Sequence, residues 1–276
     1  MCDAVNSQLG FLARDAIYDT IKPYSLRFTP PDSSPRHNLK ISMVPVRILD
    51  ARPLNPTLEK HGFTLTRIPT SLVCSDFSDH TKIESIYATE LQTHLKRIFH
   101  ARHVRVVDYA VRRRHAEFPL STGQEYSSQQ PATLVHLDFA QNEAIKMLRT
   151  FYGARAEEIL KHRWQVVNVW RPLRGPLFDW PLAVCDARTF NQERDGEVSD
   201  AVYPEWAYEN VLVHHNPNHQ WYYFSAMQET ETMVFKCIDS DGGATGQSIE
   251  SRAFIFWGPV DEDFPEEVGS VYGKRI

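Results

Sequence analysis

Three short runs decide the fold: 209-ENVLVH-214, 220-QWYYFS-225 and 232-TMVFKCI-238. Each is rich in β-branched or aromatic residues and is closed off by turn residues, with Asn216-Pro217 separating the first two. Segments of this length and make-up read as strands. The same reading extends outward to 41–49, 103–112, 133–138, 164–170, 181–185 and 250–257. Helical spacing is confined to three places. Ile83, Ile86, Tyr87, Leu91, Leu95 and Ile98 mark an amphipathic helix over 82–101. Ile145, Leu148 and Phe151 mark a second over 141–152, and a third covers 154–162. Polar or Gly/Pro-rich loops are expected at 29–38, 120–132, 187–202 and 240–248. Many short strands with few helices predict an all-β core with flanking helices, a double-stranded β-helix or jelly roll. The chain shows no internal repeat or low-complexity tract. Residues 1–276 therefore read as a single jelly-roll domain with an N-terminal extension of about 1–40.

A formal net charge of -5 gives a polyanion nothing to hold, so nucleic acid is not an expected partner. No apolar run approaches the roughly 20 residues that span a bilayer, so no membrane is expected either. The four cysteines, Cys2, Cys74, Cys185 and Cys237, are scattered and form no CxxC pair. That usage predicts reduced thiols and a cytoplasmic protein.

The sharpest chemical feature is Thr133-Leu134-Val135-His136-Leu137-Asp138-Phe139. In a strand, residues two apart share a face, so His136 and Asp138 project together. An imidazole beside a carboxylate can supply two corners of an iron facial triad. It can equally act as a general acid–base pair, because the carboxylate stabilises the imidazolium.

From Met43 onward the sequence resembles the AsaB/CmcJ-like hydroxylase and desaturase family of microbial secondary metabolism, which includes gibberellin-desaturase-type proteins. The matching stretches are Leu49 to Arg52, Leu58 to Phe63, the His136–Asp138 pair, and the run NVWRPLRGPLFDWPLAVCDAR from Asn168 to Arg188. His219 to Phe224, Phe235 to Ser240 and Ser248 to Arg252 follow in the same order. The resemblance implies a jelly-roll core, Fe(II), 2-oxoglutarate and a small-molecule natural-product substrate. It assigns His136 and Asp138 to the metal and Arg252 to the distal carboxylate of 2-oxoglutarate. A bidentate, permanently charged guanidinium suits that carboxylate. The alternative for Arg252 is an ordinary strand-edge ion pair, perhaps with Glu250. Arg171, in the W-R-P segment, faces the cavity or locks a turn.

One departure stands out. The resemblance implies a third iron ligand, a His lying between Lys236-x-x-Asp239-Ser240 and Ser248-Ile249-Glu250-x-Arg252. Only Asp241 to Gln247 separate those two elements here, with no His or Cys among them, so the segment reads as deleted and closed by a Gly242-Gly243 turn. His214, His215 and His219 are the remaining imidazoles nearby, and of His214 and His215 only one can point inward. His219 reads more readily as a cavity-lining or structural residue than as a replacement ligand. Tyr222 and Tyr223 point to opposite faces, so only one can line a pocket. The triad is thus incomplete, and three functions follow. The first is a tailoring enzyme that has lost iron chemistry and needs no cofactor. It would use His136, Asp138, Arg171, His219 or Tyr223 for a redox-neutral cyclisation, cycloaddition, isomerisation or dehydration. The second is a working Fe(II)/2-oxoglutarate oxidoreductase with an unconventional third ligand. The third is a non-catalytic binding protein on the same scaffold.

Overall fold

Period-two alternation builds the centre of the molecule. In β7 (Trp164–Trp170), Trp164 and Val166 pack into the main core, whereas Val167 and Val169 pack on the opposite face of the sheet. In β13 (Ser251–Phe256), Phe254 and Phe256 join the first cluster and Ala253 and Ile255 the second. A sheet buried on both faces carries near-continuous apolar runs, as these strands do. The computed structural model describes residues 4–119, 128–241 and 251–258.

Thirteen strands among the described residues form three sheets. The largest has the order β4-β12-β7-β13-β5, with β4 (Phe63–Arg67), β12 (Glu231–Asp239) and β5 (His103–Tyr109), all pairs antiparallel. A second runs β1-β3-β11-β8, with β1 (Ala4–Leu12), β3 (Ile41–Asp50), β11 (Trp221–Tyr223) and β8 (Val184–Cys185). The third runs β2-β9-β10-β6, with β2 (Tyr24–Leu26), β9 (Gly196–Val202), β10 (Ala207–Val213) and β6 (His136–Leu137). Phe11, Val46, Leu137, Val211 and Val213 from the two smaller sheets meet Trp164, Val166 and Phe254 from the large one. This is the expected jelly-roll core with flanking helices.

The Ala88–Ile98 helix covers the outer face of the large sheet, burying Leu91 and Leu95 completely against it. Each such leucine contributes about 1.5–3 kcal/mol through its burial. The expected single helix over 82–101 is interrupted. A π-helical turn at Ile83–Tyr87 shifts the phase of the stripe, which leaves Ile86 exposed while Ile83 and Tyr87 stay buried. The helix stops before 101 because His100 adopts a left-handed conformation, φ 49°. The helix at 141–152 falls where its periodicity places it. Of 154–162 only Ala156–Ile159 is α-helical, after a 3-10 turn at Gly153–Arg155.

The loop expected at 187–202 is instead the Gln192–Asp195 helix followed by β9. Asp195 reads as a turn residue, but it is fully buried and organises its neighbours through hydrogen bonds. Four strands, β1, β2, β4 and β9, lie outside the sequence expectations. β1 lies within the stretch taken as an extension, yet it pairs along β3 from Ala4↔Leu49 to Leu12↔Ile41. It also supports the His136 segment: Gly10 N donates to Thr133 O (3.0 Å), and Val135 N donates to Gly10 O (2.8 Å). A side chain at Gly10 would meet Thr133 O at 3.0 Å, so glycine eases the close approach there. The Gly242-Gly243 turn and Glu250 lie outside the described residues. Cys74, Cys185 and Cys237 are free thiols. No helix among the described residues is long and apolar enough to cross a membrane.

Candidate active site

Three strands aim polar side chains at one point. In β13 the residue two before Phe254 on the inner face is Arg252, and in β7 the residue two after Val166 is Asn168. The two are register partners, Arg252↔Asn168. On the other side of β13, the pairing with β5 slips between Arg252 and Ala253, from Asp108 to Val106. That bulge sets Asp108 directly opposite Arg252, where regular pairing would have placed Val107. β6 then brings in His136, with Asp138 just beyond it.

The resulting network is tight. Arg252 Nε donates to Asp108 Oδ1 (2.8 Å) and Nη2 to Asp108 Oδ2 (2.5 Å). Arg252 Nη1 lies 3.7 Å from Asp138 Oδ1, and its guanidinium sits 5.0 Å from the Phe139 ring centroid. Asn168 Nδ2 donates to Asp138 Oδ2 (2.5 Å). The His136 Nδ1 and Leu134 O lie 2.7 Å apart, so Nδ1 carries a proton and donates it to the carbonyl. The lone pair of Nε2 is left 3.5 Å from Asp138 Oδ1. Two acceptors facing one another call for a proton or a cation between them.

Burial opposes a charge on Asp138, but Arg252, His136 and Asn168 outweigh it and hold the carboxyl well below the usual range. Asp108 goes the other way: burial pushes it up, against Arg252, and the charge of Asp138 adds to the push. One guanidinium is shared by the two carboxyls. Burial also pushes Tyr208 and Cys237 up to about 12.

Two cavities meet at His136. The smaller, about 490 Å³, is lined by His136, Asp138, Arg252, Arg27, Tyr203 and Tyr208. The larger, about 1650 Å³, is lined by His136, Arg171, Trp221 and Tyr223 among others. Arg171 lines it and is also pinned, donating to Ile68 O (3.3 Å) and Glu229 O (2.6 Å). Tyr223 faces this cavity, while Tyr222 packs on the other side, 5.8 Å from the Phe63 ring.

Of the two roles expected for His219, cavity-lining or structural, the structure favours the second: it lines neither cavity. Its side chain is 1% exposed, with Nε2 3.1 Å from Asp195 Oδ2, because the buried Asp195 needs donors there. His214 points inward with Nδ1 2.9 Å from Leu12 O, and His215 is exposed against Phe11. The Lys236–Asp239 stretch is structural: buried Lys236 donates to Asp239 (2.8 Å), which also takes Arg163 and Gln165.

Asp108 and Asn168 are the functional neighbours that sequence reasoning missed. Each sits among valines in its strand, HVRVVDY and WQVVNVW, but His103, Arg105 and Gln165 do so too, so polarity alone did not single it out.

An Fe(II) facial triad needs three donors. His136 and Asp138 supply two, but no group of three His, Cys, Asp or Glu comes together among the described residues. The fork of Arg252 that would hold the distal carboxylate of 2-oxoglutarate is filled by Asp108. The described residues therefore fit neither group completely.

Residues 9–256 match the family described as the oxidoreductase/YMDC permease-like domain. The Fe(II)/2-oxoglutarate-dependent dioxygenase nvfI of Aspergillus novofumigatus is 30% identical over 85% of this chain and 84% of its own length. The chain belongs to this family of hydroxylases and desaturases. Hydroxylase/desaturase CTB9 of Cercospora beticola is another relative, 29% identical over 77% of this chain and 68% of its own. The solved structure of the iron and alpha-ketoglutarate-dependent endoperoxidase NvfI superposes with a TM-score of 0.75 at 27% identity, covering 95% of this chain and 93% of that one.

Proposed function

We propose that this chain is a natural-product tailoring enzyme that works at His136 and Asp138 by proton transfer, without a change in oxidation state. The observation that carries this reading is the position of Arg252. Its guanidinium closes on Asp108 and lies 3.7 Å from Asp138 Oδ1. A co-substrate arginine must keep its fork open and stand one diacid's length from the metal ligands. Here it does neither.

The parts have plain roles. Leu134 O fixes the His136 tautomer, so Nε2 is the atom that takes a proton from a bound molecule or returns it. Asp138, kept ionised, stabilises the imidazolium once formed. Arg252 and Asn168 hold Asp138 in place. The large cavity receives the small-molecule substrate. Cyclisation, cycloaddition, isomerisation and dehydration are the reactions this machinery suits.

A second reading has its own observation in its favour. The lone pairs of His136 Nε2 and Asp138 Oδ1 converge, and a histidine whose other nitrogen donates to a carbonyl is typical of metal ligation. On that reading the chain uses Fe(II) and 2-oxoglutarate, as its relatives' names state for them. One assay separates the two: turnover of the biosynthetic substrate under argon with EDTA. Undiminished turnover supports proton-transfer chemistry. Complete loss, restored only by Fe(II), 2-oxoglutarate and oxygen together, returns the chain to oxidation.

A further inference from the structure

The wall of the large cavity carries a charge opposite to that of the chain. The whole chain is at -5. Yet the charged residues lining this cavity, among those described, are Arg112, Arg113, Arg114, Arg171 and Arg174 against Asp179 alone. Asp179 is already taken, accepting from Arg114 Nε at 2.7 Å. Arg113 meets a neutral acceptor, Ser78 Oγ, at 2.6 Å, and Arg171 meets two backbone carbonyls and the Tyr87 ring, 5.8 Å from its guanidinium. Arg174 makes no side-chain hydrogen bond or ion pair among the described residues.

Aromatic surface lies beside this charge. Phe178 is 78% exposed and Trp180 39%, both on the same wall as Arg174. Trp180 holds a left-handed backbone, φ 51°, and its ring meets Phe118 edge-on at 5.0 Å. With the Arg114–Asp179 pair, this contact ties the 111–119 segment to the 171–182 segment across the cavity. An exposed aromatic pair beside arginines, one member of it held at a left-handed φ, is the kind of surface a ligand uses. The volume, about 1650 Å³, exceeds the usual range for a small-ligand pocket.

We infer that the substrate is an organic anion: a polycyclic or extended aromatic acid. Its ring system lies along Trp170, Phe178, Trp180 and Trp221, and its acid group is held by Arg113 and Arg174. The inference deepens the proton-transfer reading of His136 and rests on it only in making this molecule the substrate. His136 lines both cavities, so a molecule anchored on the arginine wall reaches the reacting imidazole without entering the smaller chamber.

Binding tests this independently of turnover. The probes are 1-pyrenebutyric acid and its primary amide, which differ in charge but hardly in shape. Energy transfer from the cavity tryptophans to pyrene reports occupancy. At low salt the acid should bind about tenfold more tightly than the amide or better, the worth of one charge-assisted hydrogen bond. The gap should shrink as salt screens it. The double variant Arg113→Gln/Arg174→Gln should erase the gap and leave the amide's affinity unchanged, which also shows that the variant is folded. Equal binding of acid and amide by the wild type, or a gap that survives in the double variant, overturns the inference. A gap present in a protein whose turnover is indifferent to His136→Ala would sustain this inference and sink the proton-transfer reading alone.

Discussion

Among the described residues, two histidine–aspartate pairs are attended by arginine, and only one of them borders a cavity. At His136–Asp138 the imidazole side chain is 16% exposed and borders two cavities. At His219–Asp195 it is 1% exposed and borders neither. Asp195 takes Arg194, Asn216, the Asn191 amide and His219, and so ties the Gln192–Asp195 helix to the turn after β10. The residue types are nearly the same. What differs is whether the lone pair not used for structure opens into space that a molecule can enter.

The sharpest way to break this comparison is to truncate each imidazole. His136→Ala should lower turnover by about 10²–10⁴-fold, the usual contribution of a positioned general acid–base group. The fold should remain, because His136 is tied to its surroundings chiefly through Leu134 O. His219→Ala should leave turnover unchanged while costing about 1–3 kcal/mol of stability through the donor lost from buried Asp195. Steady-state kinetics and urea unfolding on both variants decide it. Equal effects on turnover would mean that His219 reaches the site after all.

The arginines sharpen the contrast further. Arg252 is nearly buried and shared by Asp108 and Asp138, so Arg252→Ala leaves two buried carboxyls without their cation. Removing one partner of a buried pair costs about 3–5 kcal/mol. Arg194 is 51% exposed at its side chain, and Asp195 keeps its other donors without it. Arg194→Ala should cost less than about 1 kcal/mol, as for solvent-exposed pairs. Comparable losses in the two variants would show that Asp195, too, depends on its arginine.

The class of fold was legible because strand periodicity is local. In WQVVNVW and SRAFIF the two faces alternate with no help from distant residues. The pair His136 and Asp138 was legible for the same reason, since two residues apart on a strand means one face. The links that depend on register could not be read. Asp108 meets Arg252 only because a bulge in β5 displaces Val107, and nothing in HVRVVDY announces a bulge. β1 was hidden by its polar half: from Ala4 to Gln8 every residue is exposed, and only Gly10, Phe11 and Leu12 are buried. The choice between a cavity-lining and a structural His219 could not be made from the sequence, because only its neighbouring aromatic run was visible there. Its partner Asp195 lies on the far side of a hairpin and looked like part of a turn.

Protonation provides the finest test of the comparison. Burial pushes His219 down, against the pull of Asp195, so the folded protein holds this imidazole neutral. The unfolded chain protonates it near 6.5. The contribution of His219 to stability is therefore complete above pH 6.5 and declines as the pH falls below it, since the unfolded state then binds the extra proton. Asp195 adds a second, lower window. It stays ionised far below its ordinary 3.8, because its hydrogen bonds from Arg194 and Asn216 outweigh burial. The stability it contributes is present above 3.8 and is lost as the pH falls further. His103, pushed down to about 4 by burial, adds its own loss of stability as the pH falls below 6.5. The quantity to read is thus the difference between wild type and variant in urea midpoints from pH 7 to 4.5. His219→Gln retains a donor toward Asp195 but cannot titrate, so its midpoint should fall less steeply than that of wild type below pH 6.5. Parallel curves would show that folding leaves the protonation of His219 unchanged, and a variant that falls more steeply than wild type would make its pairing with Asp195 an ion pair.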